Sequence, residues 1–523
     1  MKFDRQKIEN WFKNPYNLAL LGILVLAFAI RLYFFFVTKN QAVWWDEGEY
    51  MLRVNHLVFG SPQSGFFIGR ELFTPYFWAL VFLIFKSELA IRFVQVIISM
   101  FTVFSTYYLG KEVYDKKTGL LAALMISTFW LHLFFTARLL TYLYAPLFYT
   151  LVLALFWKGR YSDSPHKEKY LFLSFTTITI GLGIYYSVAF AAVALLIFLF
   201  LTEQFKFLVD KKLWKVFLLS LPFLLLSFIP SYLVQGHIIP RLGQIETISA
   251  NEFGAGLAGL FTYTRMMPTL LLSVYLVILV ASLFMLLRLG LYFDFIIKQK
   301  EGSATFNKDL YIFLGAFIPL GIYTWLSMVA GGAAGASYDA WILPVFPALF
   351  CFMSNFMFFT GDYLSGFVKS KKIVYALIIA LVLFGSYSQL GFARANINGK
   401  VDSFYNLKPA GAWLLENSQP EDIVLSSAVP ELTYYSQREI MSFDTNQSKA
   451  VKNMEELSEA VNRIRPAYFA WTLWERSPDW LNAEIHANPT NPQNILNLTL
   501  VQVFYMDQNG QKVPDVLIYK INY

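Results

Sequence analysis

The sequence predicts an α-helical polytopic membrane protein with a C-terminal soluble α/β domain, and three observations carry that prediction. First, 57% of the 523 residues are hydrophobic and 15% are charged, with 52 Phe, 31 Tyr and 13 Trp. Soluble chains run at about 25% charged and 45–50% apolar. A soluble enzyme of this length is excluded on that ground, as is a disordered chain. Second, the mean hydropathy of +0.49 averages two unlike parts. Residues 1–393 are mostly long apolar runs, and residues 394–523 read as an ordinary soluble domain. Third, Lys and Arg sit in short clusters between the apolar runs, as topology signals do. The net charge of +7 therefore points to membrane lipids as surroundings and to no nucleic-acid partner.

A helix needs about 20 apolar residues to span a bilayer. Runs that meet this are 17–38, 90–110, 118–137, 139–157, 214–234, 267–289, 309–330, 340–360 and 373–393. The first follows Lys2, Arg5, Lys7 and Lys13 and is too long for a signal-peptide core, so it reads as an uncleaved span. The run 170–201 is too long for one helix. It fits two, broken near Gly181, Gly183 and Tyr185-Tyr186-Ser187. Segment 72–86 is short, contains Pro75, and reads as a juxtamembrane helix. With 72–86 outside the membrane there are about 11 spans. The inner segments then hold 22 Lys and Arg against 8 on the outer ones. Making 72–86 a span would invert the later clusters, against the positive-inside rule. The expectation is a multi-pass plasma-membrane protein with a cytoplasmic N-terminus, outer loops 39–89 and 235–266, and an extracytoplasmic domain 394–523.

The tail alternates helical patterns at 402–417 and 447–464 with strand-like runs at 422–428, 439–443, 468–473, 498–505 and 516–521. Such alternation predicts a layered α/β or α+β domain. Asn509-Gly510 supplies a hairpin turn between the last two strands. The single cysteine, Cys351, lies in an apolar run, so no intrachain disulfide supports the tail. The tail has no Gly-rich phosphate loop and no metal-ligand cluster.

Polar groups gather on the predicted outer face. The sharpest feature is Trp44-Trp45-Asp46-Glu47-Gly48-Glu49-Tyr50, just after the first span. If a helix starts here, Asp46 and Glu49 share a face at i,i+3 and Glu47 points elsewhere. A carboxylate against apolar surface has a raised pKa, which suits a base for a hydroxyl. The same residues also suit an interfacial aromatic anchor with solvated acids, or an Asp46 helix cap. Arg138, between two apolar runs, is either a snorkelling arginine or a fork for a lipid phosphate. His132, one turn deeper, reads as structural. Arg70-Glu71 precedes the juxtamembrane helix. His237, Arg241, Glu246, Glu252 and Arg265 lie in the second long loop. Asp339 follows the Gly331–Gly335 stretch and reads first as a helix cap, with binding or metal ligation as the alternatives.

These segments, in order, resemble the GT-C membrane glycosyltransferases, and most of all the group of protein O-mannosyltransferases and lipid A aminoarabinose transferases. Trp45-Asp46-Glu47-Gly48-Glu49-Tyr50 resembles the group's Asp-Glu motif. Gly69-Arg70-Glu71 through Tyr76 resembles the loop into its juxtamembrane helix. Leu109-Gly110-Lys111, Gly119 through Ala123, and Ala137-Arg138-Leu139-Leu140-Thr141 resemble its following turns and outer corner. Ile342-Leu343-Pro344 through Leu349 resembles its Leu-Leu-Pro-x-x-Pro-Ala-Leu helix. The acid the group often carries after the corner arginine is absent from Tyr142-Leu143-Tyr144, and Ala340-Trp341 replaces its Arg-Tyr or His-Tyr.

The resemblance implies inverting transfer of a sugar from a polyprenyl-phosphate donor to a protein, lipid or glycan acceptor on the outer face. Asp46 is the implied general base, with Glu47 orienting the loop or the acceptor. Arg138, with Arg70 and Arg265, is implied in binding the donor phosphate. Glu49, Tyr50, Tyr142 and Asp339 are the implied substrate contacts. The cofactor stays open between none and a divalent cation (Mg²⁺ or Mn²⁺), with Asp339 or Glu246 available in place of the missing acid. The rival class is a transporter, flippase or scaffold for lipid-linked sugars, which predicts ionisable groups near the midplane and paired broken helices.

Overall fold

The computed structural model describes all residues except 1–4, 67–69, 237–255, 286–303, 330–337, 443–452, 488, 490–491, 493–495 and 509. Residues 237–255 of the expected loop 235–266, with His237, Arg241, Glu246 and Glu252, and the Gly331–Gly335 stretch thus lie outside the described residues. The chain forms two compact units. One comprises Met1–Phe36, Glu71–Thr74 and Arg92–Asn398. The other comprises Val37–Arg70, Pro75–Ile91 and Gly399–Tyr523.

The first unit is helical. Among the described residues, eight helices are long and apolar enough to cross a membrane. They are Pro15–Thr38, Glu88–Val113, Tyr186–Glu203, Lys211–Val234, Gly259–Ser282, Thr305–Met328, Val345–Val368 and Lys371–Asn398. The expected break in 170–201 is present. Helix Lys167–Leu182 stops at Gly183, and a 3-10 turn at Tyr186–Val188 starts helix Ala189–Glu203. Gly181 permits it, because a Cβ there would lie 2.7 Å from a Val188 methyl. Expected span 139–157 falls on helix Tyr144–Tyr161, which carries Lys158 and Arg160 in its last turn.

Expected span 118–137 is two short helices, Lys116–Thr128 and Trp130–Phe134. Phe129 between them is extended (φ −64°, ψ 116°), and Gln389 Oε1 accepts the Trp130 N–H at 3.1 Å. The same glutamine donates to the carbonyls of Leu270 and Leu271 at 3.2 and 2.9 Å. Those carbonyls lie where helix Thr262–Ser282 kinks at Leu272 (φ 55°), just after Pro268. A side chain thus satisfies backbone groups that lipid could not. Helices Glu88–Val113 and Lys116–Thr128 cross at two glycines, where a Cβ on Gly110 would meet the Gly119 Cα at 2.7 Å. Asp115 caps the second helix by accepting from the Thr118 N–H at 2.8 Å.

Helix Phe73–Phe85 has 13 residues, too short to span, as its length predicts. In the second unit the tail builds a five-stranded sheet from β1 (Ile423–Ser426), β2 (Glu439–Met441), β3 (Tyr468–Thr472), β4 (Leu498–Gln508) and β5 (Gln511–Ile521). The order is β2-β1-β3-β5-β4. β1 runs parallel to β2 and β3, while β5 is antiparallel to β3 and β4. The hairpin closes at Gly510, whose φ of +83° favours glycine. One sheet face carries Leu425, Phe469, Trp471, Leu517 and Tyr519 against helices Met454–Ile464 and Asp479–Ala487. Val424, Ala470, Val516 and Ile518 pack with Leu407, Leu414 and Leu432. Helices Val429–Ser436 and Asp479–Ala487 are additions to the elements expected from pattern.

The post-span segment belongs to this second unit. Trp45 packs against the core that contains Leu432 and Ile518. The Val43 N–H donates to Tyr435 Oη at 2.9 Å, and the Asn55 amide to the Tyr434 carbonyl at 3.3 Å. Gly48 is in close approach, since a Cβ there would sit 3.1 Å from the Pro430 carbonyl carbon and 3.2 Å from the Glu431 nitrogen.

Candidate active site

A helix does start at the Trp-Trp-Asp-Glu motif, over Trp45–Phe59. Trp44 is extended at its N-cap. Glu47 folds back so that its Oε2 accepts the Trp44 N–H at 2.9 Å, the returning half of a capping box. Asp46 and Glu47 also place negative charge in the first turn, where the helix dipole favours it. Glu47 is fully buried and makes this cap.

Asp46 and Glu49 lie on one face, as the i,i+3 spacing predicts, and Arg70 bridges them. Its Nη2 donates to Asp46 Oδ1 at 2.5 Å and its Nε donates to Glu49 Oε2. Trp45 Nε1 donates to the other Glu49 oxygen at 2.9 Å. The Arg70 guanidinium also lies 5.3 Å from the Tyr50 ring centre. Tyr50 in turn packs edge-on against Trp78. The carboxylates differ in access: the Asp46 side chain is 38% exposed and that of Glu49 is 5% exposed. Burial pushes Glu49 up to about 7, although Arg70 pulls it down. Burial works against the charge on Arg70 as well, but Tyr50, Asp46 and Glu49 raise its pKa.

Two tail acids join this group, and neither was singled out from sequence. Glu431, in the first turn of helix Val429–Ser436, is fully buried, and burial, then the charge of Glu475, raises its pKa well above the usual range. Glu475 is half-buried and pushed up to about 7, first by burial and also by the charge of Asp46. Among the described residues, no three His, Cys, Asp or Glu side chains are arranged to hold a metal ion.

The first unit holds the other sequence-predicted residues. Arg138 is buried at the corner after Trp130–Phe134, 4.8 Å from the Phe134 ring centre. Gln95 fixes that corner by donating to the Arg138 and Leu140 carbonyls, both at 2.9 Å. Arg92, buried too, donates to the Ala137 carbonyl at 3.0 Å. Tyr142 is buried between Phe135 and Tyr185. Arg265 is exposed near the start of helix Thr262–Ser282. Asp339 accepts the Ala340 N–H at 2.8 Å, and burial raises its pKa.

Sequence reading also passed over Arg31, hidden in the first apolar run. It is fully buried and donates to Ser99 Oγ (2.6 Å) and to the Ala27 and Ser127 carbonyls (3.1 and 3.0 Å). Its fourth contact is His132 Nδ1 at 3.0 Å. A lone Arg facing apolar neighbours in sequence is the signal for such a cluster.

Residues 70–230 match the model of the dolichyl-phosphate-mannose-protein mannosyltransferase family. No curated protein matches the chain by sequence. Among solved structures the chain is similar to ArnT from Cupriavidus metallidurans in the apo state. The TM-score is 0.64 at 12% identity, over 96% of this chain and 98% of that one. It is similar also to ArnT from the same organism bound to undecaprenyl phosphate (TM-score 0.61, 11% identity, 95% and 98% covered). A third likeness is to the archaeal oligosaccharyltransferase AglB from Archaeoglobus fulgidus in complex with an inhibitory peptide and a dolichol-phosphate (TM-score 0.55, 13% identity, 94% and 74% covered). The chain is an integral membrane protein of GT-C fold, related through residues 70–230 to the dolichyl-phosphate-mannose-protein mannosyltransferases.

Proposed function

We propose that this protein transfers a sugar from a polyprenyl-phosphate carrier to an acceptor hydroxyl at the outer membrane face, with inversion. The observation that carries the reading is Asp46: a solvent-reaching carboxylate clamped by Arg70 in the first turn of a helix on a GT-C fold. The family match over residues 70–230 supports glycosyl transfer. The polyprenyl phosphates bound to ArnT and AglB support the donor class.

In this mechanism Asp46 takes the proton of the acceptor hydroxyl, whose oxygen attacks the anomeric carbon as the bond to the carrier phosphate breaks. A positioned base of this kind contributes about 10²–10⁴-fold. Arg70 orients the Asp46 carboxylate, and Glu47 holds the start of its helix. Arg138 offsets the charge of the departing phosphate, in which Arg fits oxygens as a fork. Arg265, Tyr142 and Asp339 remain the donor and acceptor contacts of this reading, and no step runs through a metal.

One observation favours the transport reading, namely the buried ionisable pair that Arg31 of the first apolar helix makes with His132. Its other contacts are a serine hydroxyl and backbone carbonyls, which suit a fixed brace better than a moving carrier.

The test is transfer by the purified protein from radiolabelled polyprenyl-phosphate monosaccharides, with Asp46→Asn alongside. Donor consumption by the wild type and not by the variant supports the reading. Full activity in Asp46→Asn removes Asp46 as the base. No turnover across a broad panel of donors, acceptors and divalent cations moves the assignment to transport.

A further inference from the structure

Arg53 lies one turn beyond Glu49 on helix Trp45–Phe59 and is buried. Gly60 ends that helix in the left-handed region (φ +71°), which turns the chain back. The return brings Gln63 Oε1 to accept from Arg53 Nη1 at 2.9 Å. From helix Phe73–Phe85, Tyr76 Oη accepts from Arg53 Nη2 at 3.1 Å, and the guanidinium lies 5.7 Å from the Tyr76 ring centre. Among the described residues no carboxylate meets Arg53, and its buried Nε has no acceptor. Arg only donates, so Gln63 turns its oxygen to Arg53 and its amide N–H groups away. Tyr76 accepts through its oxygen and keeps its O–H to give. Both side chains are half-buried, and neither donates to another described residue. Arg31 differs, because each of its side-chain nitrogens already has an acceptor. A buried cation with spare donors beside it fits an anion.

The surroundings decide which anion. Tyr76 is followed at i+4, i+7 and i+8 by Leu80, Leu83 and Ile84, which are 61%, 55% and 72% exposed. One face of the short helix therefore runs from the donors into bare apolar surface. Phe59, at the end of the Arg53 helix, packs edge-on against Phe82 at 5.7 Å and ties the two helices together. A 13-residue apolar helix is too short to cross a bilayer and suits its interface. We propose that Arg53, Gln63 and Tyr76 bind the phosphate of an anionic membrane phospholipid, whose acyl chains lie along Leu80, Leu83 and Ile84. Gln63 and Tyr76 donate to phosphate oxygens, and Arg53 supplies the charge behind them. One cation without a carboxylate matches one net negative charge, whereas a zwitterionic lipid brings a cation of its own. The site lies wholly in the second unit and does not rest on the transferase reading.

The test titrates phosphatidylglycerol into phosphatidylcholine nanodiscs that hold the full chain. Native mass spectrometry after release counts the lipid retained on each protein. The expected result is retention of phosphatidylglycerol about 5-fold over phosphatidylcholine, the effect of one basic residue on an anionic lipid. Arg53→Gln abolishes that preference. Tyr76→Phe keeps the ring under Arg53 and removes one donor, which weakens phosphatidylglycerol retention about 10-fold. Tyr76→Phe decides alone where Arg53→Gln does not fold. Equal retention of the two lipids by the wild type overturns the site, as does wild-type retention in Tyr76→Phe. Competition separates the sources of phosphate. Displacement of phosphatidylglycerol by inorganic phosphate, or by an equal amount of polyprenyl phosphate, makes this a free-anion or carrier site and overturns the phospholipid assignment. Retention that neither displaces upholds it.

Discussion

Two buried polar clusters handle charge in opposite ways. In the helical unit, Arg31 is held by Ser99, His132 and two carbonyls, with no carboxylate partner among the described residues. In the other unit, Arg70 bridges two acids, Asp46 and Glu49, and two further acids, Glu431 and Glu475, have raised pKa values. A serine hydroxyl, an imidazole and two carbonyls satisfy the hydrogen bonds of Arg31. In the second cluster burial pushes Glu49 and Glu475 up to about 7. The first arrangement braces helices; the second suits proton transfer.

The largest break in this contrast is Asp46→Asn. Turnover of a polyprenyl-phosphate donor should fall about 10²–10⁴-fold with the melting temperature unchanged. A drop in melting temperature of equal severity would instead make Asp46 a structural cap. Next comes Arg31→Leu, which strands Ser99, His132 and two carbonyls. It should destabilise the helical unit by about 3 kcal/mol, read by denaturant unfolding in detergent, with little change in the pH profile of activity.

The acid cluster makes a smaller, pH-shaped prediction. Glu49 and Glu475 hold protons up to about 7 in the folded chain, against an ordinary value of 4.5. Between these values the folded state binds more protons than the unfolded one. The stability these groups contribute is therefore complete below about pH 4.5 and lost as pH rises through about 7. Melting temperatures from pH 4.5 to 8 should decline across that window, and Glu49→Gln or Glu475→Gln should flatten the decline. A rise in stability across it would mean that Arg70 dominates and both acids are ionised. The smallest effect is Gly48→Ala. The added methyl meets the Pro430–Glu431 backbone at 3.1–3.2 Å, tight enough to cost about 1 kcal/mol. It should also move the pH dependence, because it displaces Glu431 from the Asp46 helix.

Much of the candidate site was legible because it is local. Asp46 and Glu49 share a face through a spacing of three, and the cap made by Glu47 is a neighbour effect within one turn. Arg70 could be singled out only as an outer-face cation; its bridge to both acids needed the fold. Glu431 and Glu475 lay in a tail whose pattern announced strands and helices but no chemistry. Helix Val429–Ser436 has no apolar period long enough to stand out from its neighbours. Arg31 was lost inside an apolar run, where one charge barely alters the count that defines a span.

Run length and charge clustering determine the class of this protein, because a spanning helix must be long and apolar and positive charge sorts its ends. They also mark the short helix 73–85 and the break near Gly183, since each depends on a few adjacent residues. Tertiary packing decides which acids meet. Burial and cross-chain neighbours set whether a carboxylate keeps its proton, and those neighbours lie hundreds of residues apart. The same Glu side chain is exposed at Glu439 and fully buried at Glu431, eight positions before it, where burial raises its pKa.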